Sequence, residues 1–203
     1  MDIVIRPLKR RDRRRAMEFS VTGMGTDRYT DRRSEQMLYT RYLFYKELTR
    51  ATQVLAAYSG DRLLGVLIAE LRGEKRACRS LFGSCFVAVS DLLMGIAFRG
   101  AGSDYDTANE EMHREFTARC DPDGEIGFFV TDPDLCGQGI GTLLLQELSR
   151  REKGRTVYLY TDSCCTYALY DRRGFTREAQ RDIVITIRDR KTPLSCFLYS
   201  KKL

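Results

Sequence analysis

The sequence predicts an α/β fold around one mixed central sheet, and three observations carry that prediction. Two helical stretches precede a pair of short apolar strands joined by Ser59-Gly60-Asp61, a hairpin signal. Further on, a strand delivers the chain into a loop with glycines at 137, 139 and 141, and a helix and another strand follow. The 203 residues are 43% apolar and 31% charged, which suits one packed core and excludes a disordered chain.

Each element has its own local signal. Residues 2–6 alternate apolar and polar side chains and stop at Pro7, as a short first strand would. The helical stretch 12–21 ends in Gly23-Met24-Gly25, a connection rich in small residues. Ser34 opens a second helix, with Met37, Leu38, Tyr42, Tyr45 and Leu48 at helical spacing. Strands at 53–58 and 63–71 make the hairpin. The first half of 73–123 is irregular, a mixture of apolar and small residues, whereas 107–119 reads as a charged amphipathic helix. Asp121-Pro122-Asp123-Gly124 is a turn. A strand at 125–131, a helix at 139–153 and a strand at 156–161 follow. A short helix at 166–173 is stopped by Gly174, and strands at 182–188 and 195–200 close the chain. The expected order is β-α-α-β-β-β-α-β-α-β-β, about seven strands in a single domain over 1–203. Segment 73–123 is an insertion subdomain between the third and fourth strands.

Composition removes several classes of function. The longest apolar stretch, 81–98, is interrupted by Ser84, Ser90, Asp91 and Gly95, so no uninterrupted run of ~18 residues exists to cross a membrane. The N-terminus turns basic at once and lacks the apolar segment of a signal peptide, so a cytoplasmic protein is expected. Seven cysteines without C-x-x-C spacing read as reduced, mostly buried thiols, and a single histidine, His113, leaves little material for a metal site or a Ser-His-Asp triad. The net charge of +6 gathers at Lys9 to Arg15, at Arg150 to Arg155 and at Arg172, Arg173 and Arg177. Such a balance suits a polyphosphate-bearing cosubstrate as well as nucleic acid. No aromatic residues interleave the basic run at 9–15, which favours a solvated helix face over single-strand binding.

The segment with chemistry in it is Asp132-Pro133-Asp134-Leu135-Cys136-Gly137-Gln138-Gly139-Ile140-Gly141-Thr142-Leu143-Leu144. Glycines let a backbone turn its N–H groups toward a ligand, and the helix that starts behind them makes a place for phosphate. A Walker loop would need Gly-Lys-Ser/Thr, and no lysine follows Gly141. A dinucleotide loop would need an acidic residue ~20 positions on, where Asp162 stands, but also the first strand of its βαβ unit, whereas this loop follows an antiparallel hairpin.

The same residues resemble the acetyl-CoA loop of the GNAT N-acetyltransferase superfamily, Arg/Gln-x-x-Gly-x-Gly/Ala, with Cys136 in place of the first residue. Ala168-Leu169-Tyr170-Asp171-Arg172-Arg173-Gly174-Phe175 is similar to the Phe-Tyr-x-x-x-Gly-Phe ending of that family's fourth helix. The resemblance spans nearly the whole chain outside 73–123 and implies a GNAT fold and an acetyl-CoA-dependent N-acetyltransferase. It further implies that the strands at 124–131 and 157–161 splay apart and that the pantetheine arm pairs with the freed edge through main-chain atoms of Phe129 and Thr131, with Val130 between them counted in the cofactor site. Gly137, Gln138, Gly139, Ile140 and Gly141 would hold the pyrophosphate, Cys136 and Thr142 flank them in the cofactor site, and Ser163 is a further contact, standing where many members have Asn. A strand N–H would polarise the thioester carbonyl. No metal is implied.

Two side chains are candidates for moving protons. Tyr170 matches the tyrosine that protonates the leaving thiolate, against a packing role on the sheet. Glu125 stands where the histone-acetylating branch keeps a glutamate that deprotonates the amine, about two residues out of register, against a plain strand-edge charge. The pair Cys164 and Cys165 suggests an acyl-cysteine, but the family transfers the group directly. His113 is expected on the surface, and Arg172 and Arg173 in solvent. Residues 23–50, with Tyr29, Tyr39, Tyr42 and Tyr45, would wall the acceptor, a primary amine of a small molecule or a peptide. Segment 73–123 either covers that cleft, with Asp104, Tyr105, Asp106, Asn109 and Glu110 facing a cationic amine, or braces a homodimer. A module that binds acyl-CoA without turnover is the second reading; neither a membrane nor nucleic acid is an expected partner.

Overall fold

A computed structural model of the chain describes residues 2–25, 32–78, 81–97, 103–187 and 190–203. Seven strands form one sheet: β1 (Val4–Arg6), β2 (Gln53–Ser59), β3 (Arg62–Leu71), β4 (Gly124–Thr131), β5 (Thr156–Asp162), β6 (Thr176–Ile187) and β7 (Arg190–Lys202). Their spatial order is β1-β2-β3-β4-β5-β7-β6. Among the described residues the α-helices are α1 (Arg13–Gly23), α2 (Arg33–Arg50), α3 (Leu81–Ala97), α4 (Ser103–Thr117), α5 (Ile140–Arg151) and α6 (Ala168–Arg172). Tyr29 lies outside the described residues. None of the described helices is long and apolar enough to cross a membrane.

All neighbouring strands run antiparallel except β4 and β5. A parallel pair cannot be closed by a tight turn, and α5 supplies the crossover. It packs Leu144, Leu145 and Leu148 against Leu64, Leu67, Ile126, Val157 and Leu159 on one face of the sheet. On the other face α1 and α2 bring Phe19, Phe44 and Leu48 onto Val66, Ile68 and Phe128. Further along that same face α4 brings Met112 and Phe116 onto Leu194, Cys196 and Leu198 of β7. With both faces covered, β3 is buried along nearly its whole length.

The structure departs from the sequence reading in two places. Residues 81–97, expected to be irregular, form α3, which packs on α2 rather than on the sheet. Its glycines and serines hide the helical period, yet small residues suit a helix laid against another helix; Gly83 is buried and Tyr42 of α2 donates to Asp91 at 2.6 Å. The closing strands are also longer than the expected 182–188 and 195–200. The added part of β6 is mostly polar, and a register shift between Arg177 and Ala179 breaks its alternation, so only pairing with β7 reveals it as strand.

One irregularity positions everything that follows. On β3, Ile68 pairs with Phe128 but Ala69 pairs with Ile126, which leaves Gly127 as an extra residue in β4. A bulge bends its strand and increases the local twist. β4 accordingly pairs with β5 only at Gly124↔Val157 and Glu125↔Tyr158, and the two strands then part.

Candidate active site

The notch between β4 and β5 exposes a strand edge with its polar groups unused. Asp132 N–H donates to Leu64 C=O at 2.7 Å, so Asp132 faces β3. Alternation then turns Val130 toward β3 as well, and points the N–H and C=O of Phe129 and Thr131 into the notch. The Phe129 ring lies over the first turn of α5: a Cβ placed on Gly141 would come within 3.2 Å of its Cζ.

At the mouth of the notch the glycine loop leads into α5. Asp132 is wholly buried; it accepts Arg62 Nη2 at 2.9 Å and the N–H of Asp134 at 3.2 Å, and Arg15 lies 3.6 Å away. These contacts hold the one-turn helix Pro133–Leu135 from which the loop departs. Gly137 and Gly139 have φ of 81° and 79°, the left-handed region that favours glycine, and Gly139 opens α5 without any side-chain cap. Among the described residues the N–H groups of Gly137, Gly139, Ile140, Gly141 and Thr142 have no backbone acceptor. Cys136 and Gln138 differ: their N–H groups close turns onto Pro133 C=O and Leu135 C=O, both at 3.3 Å, so of the predicted phosphate residues these two are left with side chains to offer. Free N–H groups in a glycine loop and at a helix start are the kind of donors that can receive an anion.

Tyr170 stands on α6, on the α5 side of the sheet, its ring 6.4 Å from Phe129 and 5.6 Å from Tyr199. Burial, with Cys165 and Tyr199 nearby, pushes its phenol above the ordinary range, and among the described residues its hydroxyl makes no hydrogen bond. Ser163 is occupied otherwise: its N–H donates to Ser195 C=O at 2.9 Å and its hydroxyl accepts from Ser195 N–H at 3.2 Å, both on β7. Cys165 is no thiolate, since burial and then Asp162 push it up to about 12.

On the other face of the sheet, Glu125 lies where β4 and β5 part. Its Oε2 accepts Arg50 Nη1 at 2.9 Å and the Tyr158 hydroxyl at 3.3 Å, while Oε1 has no partner among the described residues. Arg50 also binds Glu47 Oε2, at 2.8 Å from Nε and 2.6 Å from Nη2, and Glu70 Oε2 at 3.2 Å. Burial lowers the pKa of Arg50, but the hydrogen bond it donates to Glu125 and the charge of Glu47 outweigh it and raise the value, so three carboxylates surround a fixed cation. Gly127 is what admits this group, because a Cβ there would fall inside the Glu47 carboxylate and 2.9 Å from Arg50 Nη2. Sequence reasoning missed Glu47, Arg50 and Gly127. A lone glycine inside an apolar strand was the available signal, since it marks a bulge or a close approach.

α2 and α4 lie on this same face of the sheet, packed on the strands either side of the group. Asp106, Glu110 and His113 fall on one stripe of α4. Asp106 is within electrostatic reach of Tyr39 on α2, Glu110 is within reach of Tyr160, and the His113 ring lies 5.2 Å from that of Tyr158, tilted by 51°. His113, expected in solvent, is thus half-buried against the sheet; only the third dimension places Tyr158 beneath it. Asp104 is exposed, and Asn109 Oδ1 is buried with no partner among the described residues. Arg172 and Arg173 are exposed.

A family model described as Acetyltransferase (GNAT) family matches residues 24–175. No curated protein matches the sequence. Among solved structures, the chain is similar to the PaiA N-acetyltransferase of Thermoplasma acidophilum in complex with coenzyme A. The identity is 16%, the match covers 100% of each chain, and the TM-score is 0.57. It is similar also to histone acetyltransferase HPA2 and related acetyltransferase from Corynebacterium glutamicum, at 17% identity, 98% of this chain, 96% of that one and a TM-score of 0.56. An N-acetyltransferase of Staphylococcus aureus gives 14%, 100%, 99% and 0.52. At these identities the structural likeness concerns the fold.

Proposed function

Because the chain belongs to the acetyltransferase (GNAT) family, we propose that it moves an acetyl group from acetyl-CoA directly to a primary amine of a small molecule or a peptide. The observation that carries this reading is the notch: a strand edge left open by the bulge at Gly127, ending at five N–H groups that have no backbone acceptor among the described residues. Pantetheine carries amides that match the free groups of Phe129 and Thr131, and pyrophosphate matches the loop. That the Thermoplasma protein was solved with coenzyme A is in keeping with it.

The residues divide the work between the two faces of the sheet. The amine approaches from the face that carries α2 and α4, where the carboxylates of Asp106, Glu110 and Glu125 suit a cationic acceptor. Glu125 Oε1 takes the proton that the amine must lose, through water, and the neutral nitrogen attacks the thioester carbonyl. The C–S bond then breaks, and Tyr170 gives its proton to the departing sulfur, a role that a phenol kept protonated at neutral pH can fill. The second proton, which the acylated nitrogen sheds to water, restores the phenol. Holding amine and thioester together supplies much of the acceleration. Seven free thiols accord with a reducing compartment such as the cytoplasm.

Calorimetric titration with acetyl-CoA tests the cosubstrate. Gly139 is a poor place for an added charge because of its left-handed φ, so the variant is Thr142→Asp, in the first turn of α5 where an acid suits the helix dipole but opposes phosphate. Tight binding to the wild type and at least tenfold weaker binding to the variant, with an unchanged melting temperature, support the reading; no binding to the wild type overturns it. Cys136 in place of Arg or Gln favours the second reading, acyl-CoA binding without turnover. Thiol release on adding amines, slowed in Tyr170→Phe, decides for catalysis.

A further inference from the structure

The hydroxyl of Tyr199 is tied into the sheet and into α6 at once. Tyr199 is fully buried on β7, directly across from Arg177 on β6. Arg177 donates to its oxygen twice, from Nε at 2.9 Å and from Nη2 at 2.7 Å, while the guanidinium stacks 4.3 Å above the Phe197 ring. A guanidinium accepts nothing, so the one phenolic proton goes to Asp171 Oδ1, at 2.8 Å. Arg177 Nη2 closes the triangle 3.7 Å from Asp171 Oδ2.

Asp171 is the neighbour of Tyr170, and α6 has only five residues, no side-chain cap and a C-terminus stopped by Gly174 at φ 71°. A helix of one turn has no stability of its own. Adjacent helical residues point about 100° apart. Holding Asp171 against the β6/β7 side therefore sets the rotation of α6 and keeps Tyr170 toward β4, beside Phe129.

We propose that Tyr199, through its hydrogen bonds to Arg177 and Asp171, is the positioning residue that fixes α6 and so aims the Tyr170 hydroxyl at the thioester sulfur. The proposal rests on the function given above. Tyr199→Phe removes only the hydroxyl, and Arg177 and Asp171 are both exposed enough to rehydrate. It should lower kcat about tenfold, with KM for acetyl-CoA within twofold and a fold intact by circular dichroism; Asp171→Ala, a surface change, should do the same. The distinguishing readout is the double variant. If Tyr199 acts through Tyr170, Tyr170→Phe/Tyr199→Phe is no slower than Tyr170→Phe alone. Full activity in Tyr199→Phe, or losses that multiply in the double variant, overturns the positioning role alone. Full activity in Tyr170→Phe overturns it together with the acid role of Tyr170.

Discussion

Replacing Gly127 by alanine probes the device that opens the notch. The added methyl would overlap the Glu47 carboxylate and sit 2.9 Å from Arg50 Nη2. Glu47 has nowhere to retreat: its side chain is 11% exposed and its Oε2 is clamped by Arg50 at 2.8 and 2.6 Å. Separating a buried ion pair outright costs on the order of 3–5 kcal/mol. Here Arg50 keeps Glu125 and Glu70, and burial already raises the pKa of Glu47, so protonation relieves part of the loss. About 2–3 kcal/mol remains. With an unfolding entropy of roughly 2.1 cal/mol/K per residue over 203 residues, that is a fall in Tm of about 5–7 °C. Thermal unfolding at neutral pH should be followed for the wild type, Gly127→Ala, Glu47→Ala and the double variant. With Glu47 truncated, the extra methyl has room, and its cost should shrink to within ~0.5 kcal/mol of zero. An unchanged Tm in Gly127→Ala, or the same loss with and without the Glu47 side chain, would refute the steric argument.

Other perturbations follow from the same geometry. Asp132→Ala removes a buried acceptor for Arg62 and for the Asp134 N–H; it should cost about 1–3 kcal/mol and raise KM for acetyl-CoA several-fold with little change in kcat, whereas Asp132→Asn keeps the turn and most of the affinity. Hydrogen bonds from Arg150 and Arg151 hold Glu147 down to about 2. Its contribution is therefore complete above the unfolded carboxyl value and is lost as pH falls through the folded one. Urea unfolding between pH ~4.5 and ~2 should show a slope that Glu147→Gln flattens, by ~1 kcal/mol or less for a surface pair. Iodoacetamide at pH 8 should label the exposed Cys85 and Cys136 and spare Cys165, as peptide mass spectrometry can read. Turnover should survive Cys165→Ser; its loss would point to an acyl-cysteine.

Much of this chain declares itself locally. The hairpin at Gly60, the run of glycines from 137 to 141 and the helix behind them are legible because turn conformations and helix starts depend on the residues that make them. Tyr170 could be found from the motif around it, and α4 from its amphipathic period. α3 was hidden because its apolar residues run around the helix instead of along one stripe. The polar half of β6 was hidden because a strand's hydrogen bonds go to its partner, and a register shift erased the alternation.

Tertiary structure decided the rest. Arg50 meets Glu125 across 75 positions of sequence and Arg177 meets Tyr199 across 22, and neither pairing leaves a trace in local spacing. The sequence by itself determined where the backbone turns, where a helix begins and which segments carry apolar faces, since these follow from a few adjacent residues. The parting of β4 from β5, the gathering of Arg50 with three carboxylates and the orientation of α6 were decided only by packing, because each depends on side chains from distant segments competing for the same space.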